Sequence, residues 1–284
     1  MRLLTHGRRL AAIIVVAFAV VLAMVAWNHL AGPWASVSSS DMRRVLLNAI
    51  AISHPEYHVA FDQISDEQLT VPADGGNIPI KISPLSPWPV GGFPIPVMTT
   101  LELRADGSIG LLNASGNGRV PEALKRITSG PSGFPEDVDD KAVVADLDGA
   151  ILVQAVITLK SPLTEQTIRG FTPNAIDTIF VGERSREPII AWPNGTCESR
   201  GITGCSEQTT TPLVHQFQKW VSQLGAEDDA LLSRVGLGAQ DLRERAAGGL
   251  AWGYIVSLHP AELRSLAADS RVAGCTLVGV ELDT

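Results

Sequence analysis

Acidic residues are missing from the first forty positions, and the whole chain is poor in cysteine, with three, and in tyrosine, with two. Three cysteines in 284 residues exclude a disulfide-built scaffold and supply too few ligands at metal spacing for a zinc site. No Gly-x-Ser-x-Gly occurs, so the serine hydrolase elbow is excluded. Gly116-Asn117-Gly118 and Gly130-Pro131-Ser132-Gly133 lack the Lys-Ser/Thr or the helix start that a phosphate cradle requires, and they read as turns. All 30 acidic residues fall in 41–284, together with the 19 basic residues left when Arg2, Arg8 and Arg9 are set apart. Such an acidic body repels phosphate backbones, so no nucleic acid is expected as partner.

What is present begins with an apolar run. Leu10 to Trp27 holds no charged side chain, and as a helix it would extend roughly 27 Å, close to the hydrocarbon thickness of a bilayer. Preceding arginines and the following Trp27 and Trp34 predict a single span over 10–27. Residues 1–9 would form a cytoplasmic tail, and everything after the span would lie outside the cell membrane. No clean signal-peptidase site follows the run, which favours an anchor over a cleaved leader.

Beyond the span, Met42, Val45, Leu46, Ala49 and Ile50 recur at helical spacing and predict an amphipathic helix leaving the membrane. From His54 to Pro96 the prolines, with Pro84, Pro87, Pro89, Pro94 and Pro96 close together, allow only extended structure and edge strands. Asp106-Gly107 between apolar runs predicts a hairpin over 97–113. Residues 41–128 thus read as a helix plus a β-rich region, and the polar, turn-forming 129–140 as a linker. In 141–284 two β-α-β units are predicted. The first has strands at 150–159 and 175–181, with a helix opened by Ser161-Pro162; the second has strands at 250–258 and 272–282 around a helix at 260–268. The fold class expected is α+β, a ferredoxin-like sandwich with helices on one face of a mostly antiparallel sheet.

Candidate chemistry is sparse. His54 and His58 stand four apart, but Pro55 argues against the helix that would place both on one face, and no third ligand follows. Glu136, Asp137, Asp139 and Asp140 read as a solvated acidic linker. Asn113 and Asn194 head chance matches to the glycosylation sequon. Cys197 and Cys205 share one Gly/Ser/Thr-rich loop and are expected to pair as a local disulfide, and Cys275 to sit buried in an apolar run. No catalytic, cofactor-binding or metal-binding residue is assigned; the chain reads as a non-enzyme without cofactor.

Two stretches carry a resemblance. Val153 to Ile168, with Pro162-Leu163-Thr164 at its helix start, and Gly249 to Leu266 continuing through Val272 to Val280, are similar to the sigma factor regulator family, membrane-anchored anti-sigma-like proteins. The resemblance covers about 144–282. It implies a sensing or protein-binding domain outside the membrane, with a sigma factor or an envelope protein as partner. The alternative is an anchored extracytoplasmic binding or protease-inhibitor-like module, since Leu263 to Val272 also resembles protease propeptide-like domains.

Overall fold

The computed structural model describes residues 34, 37–65, 67–70, 75–84, 97–112, 119–128, 139–147, 151–172, 176–195, 197–203 and 211–282. The first helix, α1, runs through three consecutive segments, Ser39–Asp41, Met42–Leu47 with wide π-type turns, and Asn48–Ser53. Ser38 caps it by accepting from the Asp41 N–H at 3.1 Å, and the chain leaves the helix at His54, ahead of Pro55. The Arg44 carbonyl within the widened stretch accepts from Trp220 Nε1 at 2.6 Å and from Asn48 Nδ2 at 2.8 Å. A π-turn is stable here because side chains from outside the ladder satisfy such carbonyls.

Strands β1 (Tyr57–Val59), β2 (Gly76–Pro84), β3 (Val97–Leu103) and β4 (Ile109–Leu112) form an antiparallel meander in that order. Ile78, Ile80 and Ile82 point into the core while Asn77 and Pro79 face out, the period of a half-buried strand. Pro79 is tolerated because β1 pairs only with Ile82, Ser83 and Pro84, leaving the Pro79 edge of β2 without a neighbouring strand. The β3–β4 hairpin turns at Asp106-Gly107, where Gly107 adopts φ 84° and the Asp106 carboxylate accepts from the Ser108 N–H at 2.8 Å.

After α2 (Arg119–Thr128) and α3 (Lys141–Ala145), the chain builds a five-stranded antiparallel sheet. Its strands are β5 (Ile151–Leu163), β6 (Ile176–Val181), β7 (Ile190–Pro193), β8 (Ala251–Leu258) and β9 (Val272–Leu282), in the order β7-β6-β8-β5-β9. Helix α4 (Glu165–Arg169) joins β5 to β6 and α8 (Pro260–Ala267) joins β8 to β9. Each unit therefore straddles a strand of the other. Helices α5 (Leu213–Ser222), α6 (Asp229–Ser233) and α7 (Ala239–Gly248) fill the connection from β7 to β8. Along the outer edge of β9, Asp140 gives its N–H to the Cys275 carbonyl at 2.7 Å and takes the Leu277 N–H on its carboxylate at 2.9 Å.

The structure corrects several expectations. Ser161-Pro162 does not open a helix: β5 continues through Leu163, and Thr164 caps α4 by accepting from the Thr167 N–H at 3.3 Å. The expectation of a ferredoxin-like sandwich with helices on one face is corrected: apolar side chains of helices cover both faces of the sheet. Val153, Ala155 and Ile157 belong to the core that α1, α4, α5 and α8 share, while Val156, Phe180, Trp252 and Ile255 form a second core with Val120, Leu124 and Ile127 of α2 on the opposite face. Burial of both parities is what the unbroken apolar run of β5 requires.

Residues 10–27, expected to cross a membrane, lie outside the described residues, and among the described residues no helix is long and apolar enough to do so. On that finding the single-pass architecture is withdrawn, and with it the cell-membrane location, the cytoplasmic N-terminus and the extracytoplasmic body. Helix α1, read as leaving a bilayer, is instead enclosed by protein. Met42, Val45 to Leu47 and Asn48 to Ile52 are all buried. Its polar groups also bond inward, Arg44 holding the buried Asp228 with both terminal nitrogens at 2.9 Å, and Arg43 reaching the carbonyls of Phe61 at 2.9 Å and Ile64. The meander, α1 and one face of the five-stranded sheet thereby share one apolar core.

Candidate functional site

The residues singled out from the sequence do not converge. His54 lies against Glu56, Nδ1 to Oε1 3.2 Å, and His58 points outward from β1, so they form no metal pair. Among the described residues no three His, Cys, Asp or Glu side chains are grouped to hold a metal. Of the acidic run, Asp139 pairs with Lys141 at 3.1 Å and Asp140 is spent on β9; Glu136 and Asp137, like Asn113, lie outside the described residues. Asn194 folds its Oδ1 onto the Gly195 N–H at 2.9 Å. Cys197 is disulfide-bonded, and Cys205, its expected partner, lies outside the described residues. Cys275 is free and buried, and burial pushes its thiol up to about 12, which leaves it without reactivity at neutral pH.

Three basic side chains from distant parts of the chain meet at one end of the five-stranded sheet. Lys160 near the end of β5, Lys141 on α3 and Arg264 on α8 line a cavity of about 290 Å³, with Asp269 and Ser270 at the rim and Val144, Ala267 and Val272 as apolar wall. Arg264 is positioned by the carbonyls of Val144 at 3.2 Å and Leu147 at 3.3 Å, capping the end of α3. Asp269 is occupied by Arg271, Nε to Oδ1 2.8 Å and Nη2 to Oδ2 2.7 Å. The Arg271 guanidinium beside Asp269, with Lys160 adding to the field, brings its carboxyl down to about 2. Lys160 lies in the field of that ionised carboxylate but forms no ion pair within 4 Å among the described residues. With Lys141 paired to Asp139 and Asp269 to Arg271, Lys160 and Arg264 leave an excess of positive charge at a small concavity in a chain of net charge −8.

Two other perturbed groups, the buried Tyr254 and the half-buried Asp177, lie away from this cavity. Tyr254 accepts a hydrogen bond from Thr172 Oγ1 at 2.9 Å, and burial pushes its phenol above the ordinary range. Asp177 on β6 accepts from Ser257 Oγ of β8 at 3.0 Å; burial raises its carboxyl pKa, against hydrogen bonds from Ser257 and Gln154. A raised pKa means that, above the ordinary carboxylate value of 3.8, the folded chain holds a proton that the unfolded chain has released. Stability is thus lost as pH rises through that window. Asp177→Asn is expected to gain on the wild type progressively as pH rises above about 4, measured as the difference in urea midpoint. A difference independent of pH would show that the carboxyl titrates as it does in the unfolded chain.

Arg200 is fully buried, at 0% exposure. Its guanidinium lies 4.7 Å from the ring centres of both Phe61 and Trp192. It donates to Asn48 Oδ1 at 3.1 Å, to the Pro193 carbonyl at 2.7 Å and to that of Asn194 at 3.3 Å. No carboxylate joins it among the described residues, and Nε has no partner. Burial brings its pKa down to about 9, so the group remains charged at neutral pH.

Neither the cavity nor the Arg200 seat was read from the sequence. Lys141, Lys160 and Arg264 share no spacing, and only the closure of α3 and α8 over the ends of β5 and β9 brings them together. A lysine ending the apolar run of β5 was the one local signal. No family model, curated protein or solved structure matches this chain. The resemblance to sigma factor regulators, and the sigma factor or envelope partner it implied, are corrected on that finding: Val153–Ile168 and Gly249–Val280 match as packing patterns that any strand, capped helix and strand would need.

Proposed function

We propose that the chain is a non-catalytic binding protein that takes a small organic monoanion, a carboxylate on a short apolar body, in the cavity between α3 and α8. The observation that carries this reading is the meeting of Lys141, Lys160 and Arg264 on one concavity, with Lys160 in no direct ion pair among the described residues. The volume of about 290 Å³ lies at the small end of ligand pockets, and Val144, Ala267 and Val272 provide an apolar wall. A dianion is disfavoured, because Asp269 and the negative end of α8 stand at the rim. Catalysis needs titratable groups facing a common cleft. At this cavity Asp269 is held ionised by Arg271, and the groups whose pKa is raised, Tyr254, Asp177 and Cys275, do not line it.

The test is a titration of the full chain with benzoate, hexanoate, inorganic phosphate and benzyl alcohol, followed by amide chemical shifts. Saturable shifts at Val144, Lys160 and Val272 with the two carboxylates are expected, and none with benzyl alcohol. Lys160→Glu should weaken binding by about tenfold or more, the loss of one charge-assisted hydrogen bond. Shifts that fail to saturate at millimolar carboxylate, or that survive Lys160→Glu unchanged, would end the proposal.

A further inference from the structure

We infer that the carboxylate taken by the cavity is that of a free amino acid with a short apolar side chain, whose α-ammonium group is held at the Asp269 rim; this rests on the reading of the cavity as a carboxylate site. The lining carries charge of both signs. Lys160 and Arg264 supply the positive excess, while Asp269 and Ser270 bring a carboxylate and a hydroxyl to the same concavity. Helix α8 ends beside them at Ala267, and its terminal carbonyls add partial negative charge to that side.

Asp269 is a preorganised anion. Its N–H bonds the Leu266 carbonyl at 3.0 Å and its own carbonyl takes the Val272 N–H at 3.1 Å, which fixes the turn from α8 into β9. Oδ1 accepts from the Arg271 N–H and from Arg271 Nε, each at 2.8 Å, and Oδ2 accepts from Nη2 at 2.7 Å. A carboxylate oxygen has two lone pairs, and among the described residues Oδ2 takes no second hydrogen bond. The Phe171 ring, 3.8 Å from the guanidinium carbon, keeps Arg271 in place. Lys160 is tied to the same turn, since its N–H bonds the Arg271 carbonyl at 3.0 Å. On the positive side, Arg264 spends Nη1 on the Val144 and Leu147 carbonyls, and its other nitrogens form no hydrogen bond among the described residues. A dianion meets repulsion at Asp269, and a simple monocarboxylate leaves that acid unused. A zwitterion answers both sides, with its carboxylate on Lys160 and Arg264, its ammonium on Asp269 Oδ2 and the Ser270 hydroxyl, and its side chain against Val144, Ala267 and Val272. The volume of about 290 Å³ limits that side chain to a short one.

Calorimetric titration of the full chain with L-leucine, 4-methylpentanoate and 3-methylbutylamine tests this, since the second is leucine without its ammonium and the third is leucine without its carboxylate. L-Leucine is expected to bind about tenfold more tightly than 4-methylpentanoate, the gain of one charge-assisted hydrogen bond, and the amine should not bind. Asp269→Asn should move the two acids in opposite directions: leucine weakens by about tenfold, while 4-methylpentanoate, relieved of a nearby negative charge, binds more tightly. Equal affinity of the wild type for leucine and 4-methylpentanoate would overturn the inference and leave the carboxylate site standing. A leucine advantage that survives Asp269→Asn would also overturn it, because the ammonium would then lie elsewhere. Binding of neither acid at millimolar concentration would remove the carboxylate reading itself, and the inference with it.

Discussion

Gly253→Ala is expected to destabilise the fold by about 3 kcal/mol, at the upper end for one methyl group forced into a packed interior. A Cβ at this position would stand 2.6 Å from the Ile157 carbonyl oxygen and 3.2 Å from Phe180 Cδ2. Gly253 is paired with Thr158 of β5 on one side and Phe180 of β6 on the other, and the intruding methyl meets backbone, which cannot rotate away. Three central strands must therefore part, or Phe180 must leave its stack on Trp252, now at 4.8 Å between ring centres. Gly248→Ala is the matched control: nothing lies within 4 Å of a Cβ there, and the position closes α7. It should be neutral or gain about 0.5 kcal/mol. Urea denaturation of both variants decides the point, and equal midpoints would mean that β5 and β8 yield freely.

Arg200→Ala should lower stability by about 3 to 5 kcal/mol, because it opens a cavity between two rings and removes the donor from buried oxygens of Asn48 and Pro193. Arg200→Met separates the two contributions. A methionine keeps most of the volume between Phe61 and Trp192 and removes the buried charge, so it should cost about half as much as alanine. Thermal unfolding followed by tryptophan fluorescence reads both, since Trp192 also packs on Trp220 at 5.4 Å. A methionine variant as unstable as alanine would place the whole effect in the hydrogen bonds.

What could be read beforehand was local and carried by turn and cap chemistry. Asp106-Gly107 announced the hairpin, and Pro260 at the first turn, with Glu262 accepting from the His259 N–H at 3.1 Å, marked α8 between its strands. Helix α2 went unread although Val120, Ala123, Leu124 and Ile127 repeat at helical spacing, because glycine-rich turns flank it and Pro121 stands in its first turn. Overlooking it also hid the second buried face of the sheet. Helix α1 was recognised as a helix but given the wrong surroundings: Arg43, Arg44 and Asn48 look like a solvent face in sequence, and only long-range partners turn them inward. The cavity belongs to the same class. Its three cations come from α3, β5 and α8, and no periodicity links them.

Asp140 bears on how the molecule behaves at high concentration. A long strand at the margin of a sheet offers amides and carbonyls to any passing chain, and β9, with 11 residues, is such a strand. One residue occupies the middle of that row by presenting a peptide N–H to Cys275 and a carboxylate to Leu277, the pair of functions a neighbouring strand would bring. It does so at the expense of α3, whose N-terminus the same carboxylate leaves uncapped. Self-association through this margin would first have to displace a negatively charged plug, which ties the colloidal behaviour of the protein to a single side chain far in sequence from the strand it guards.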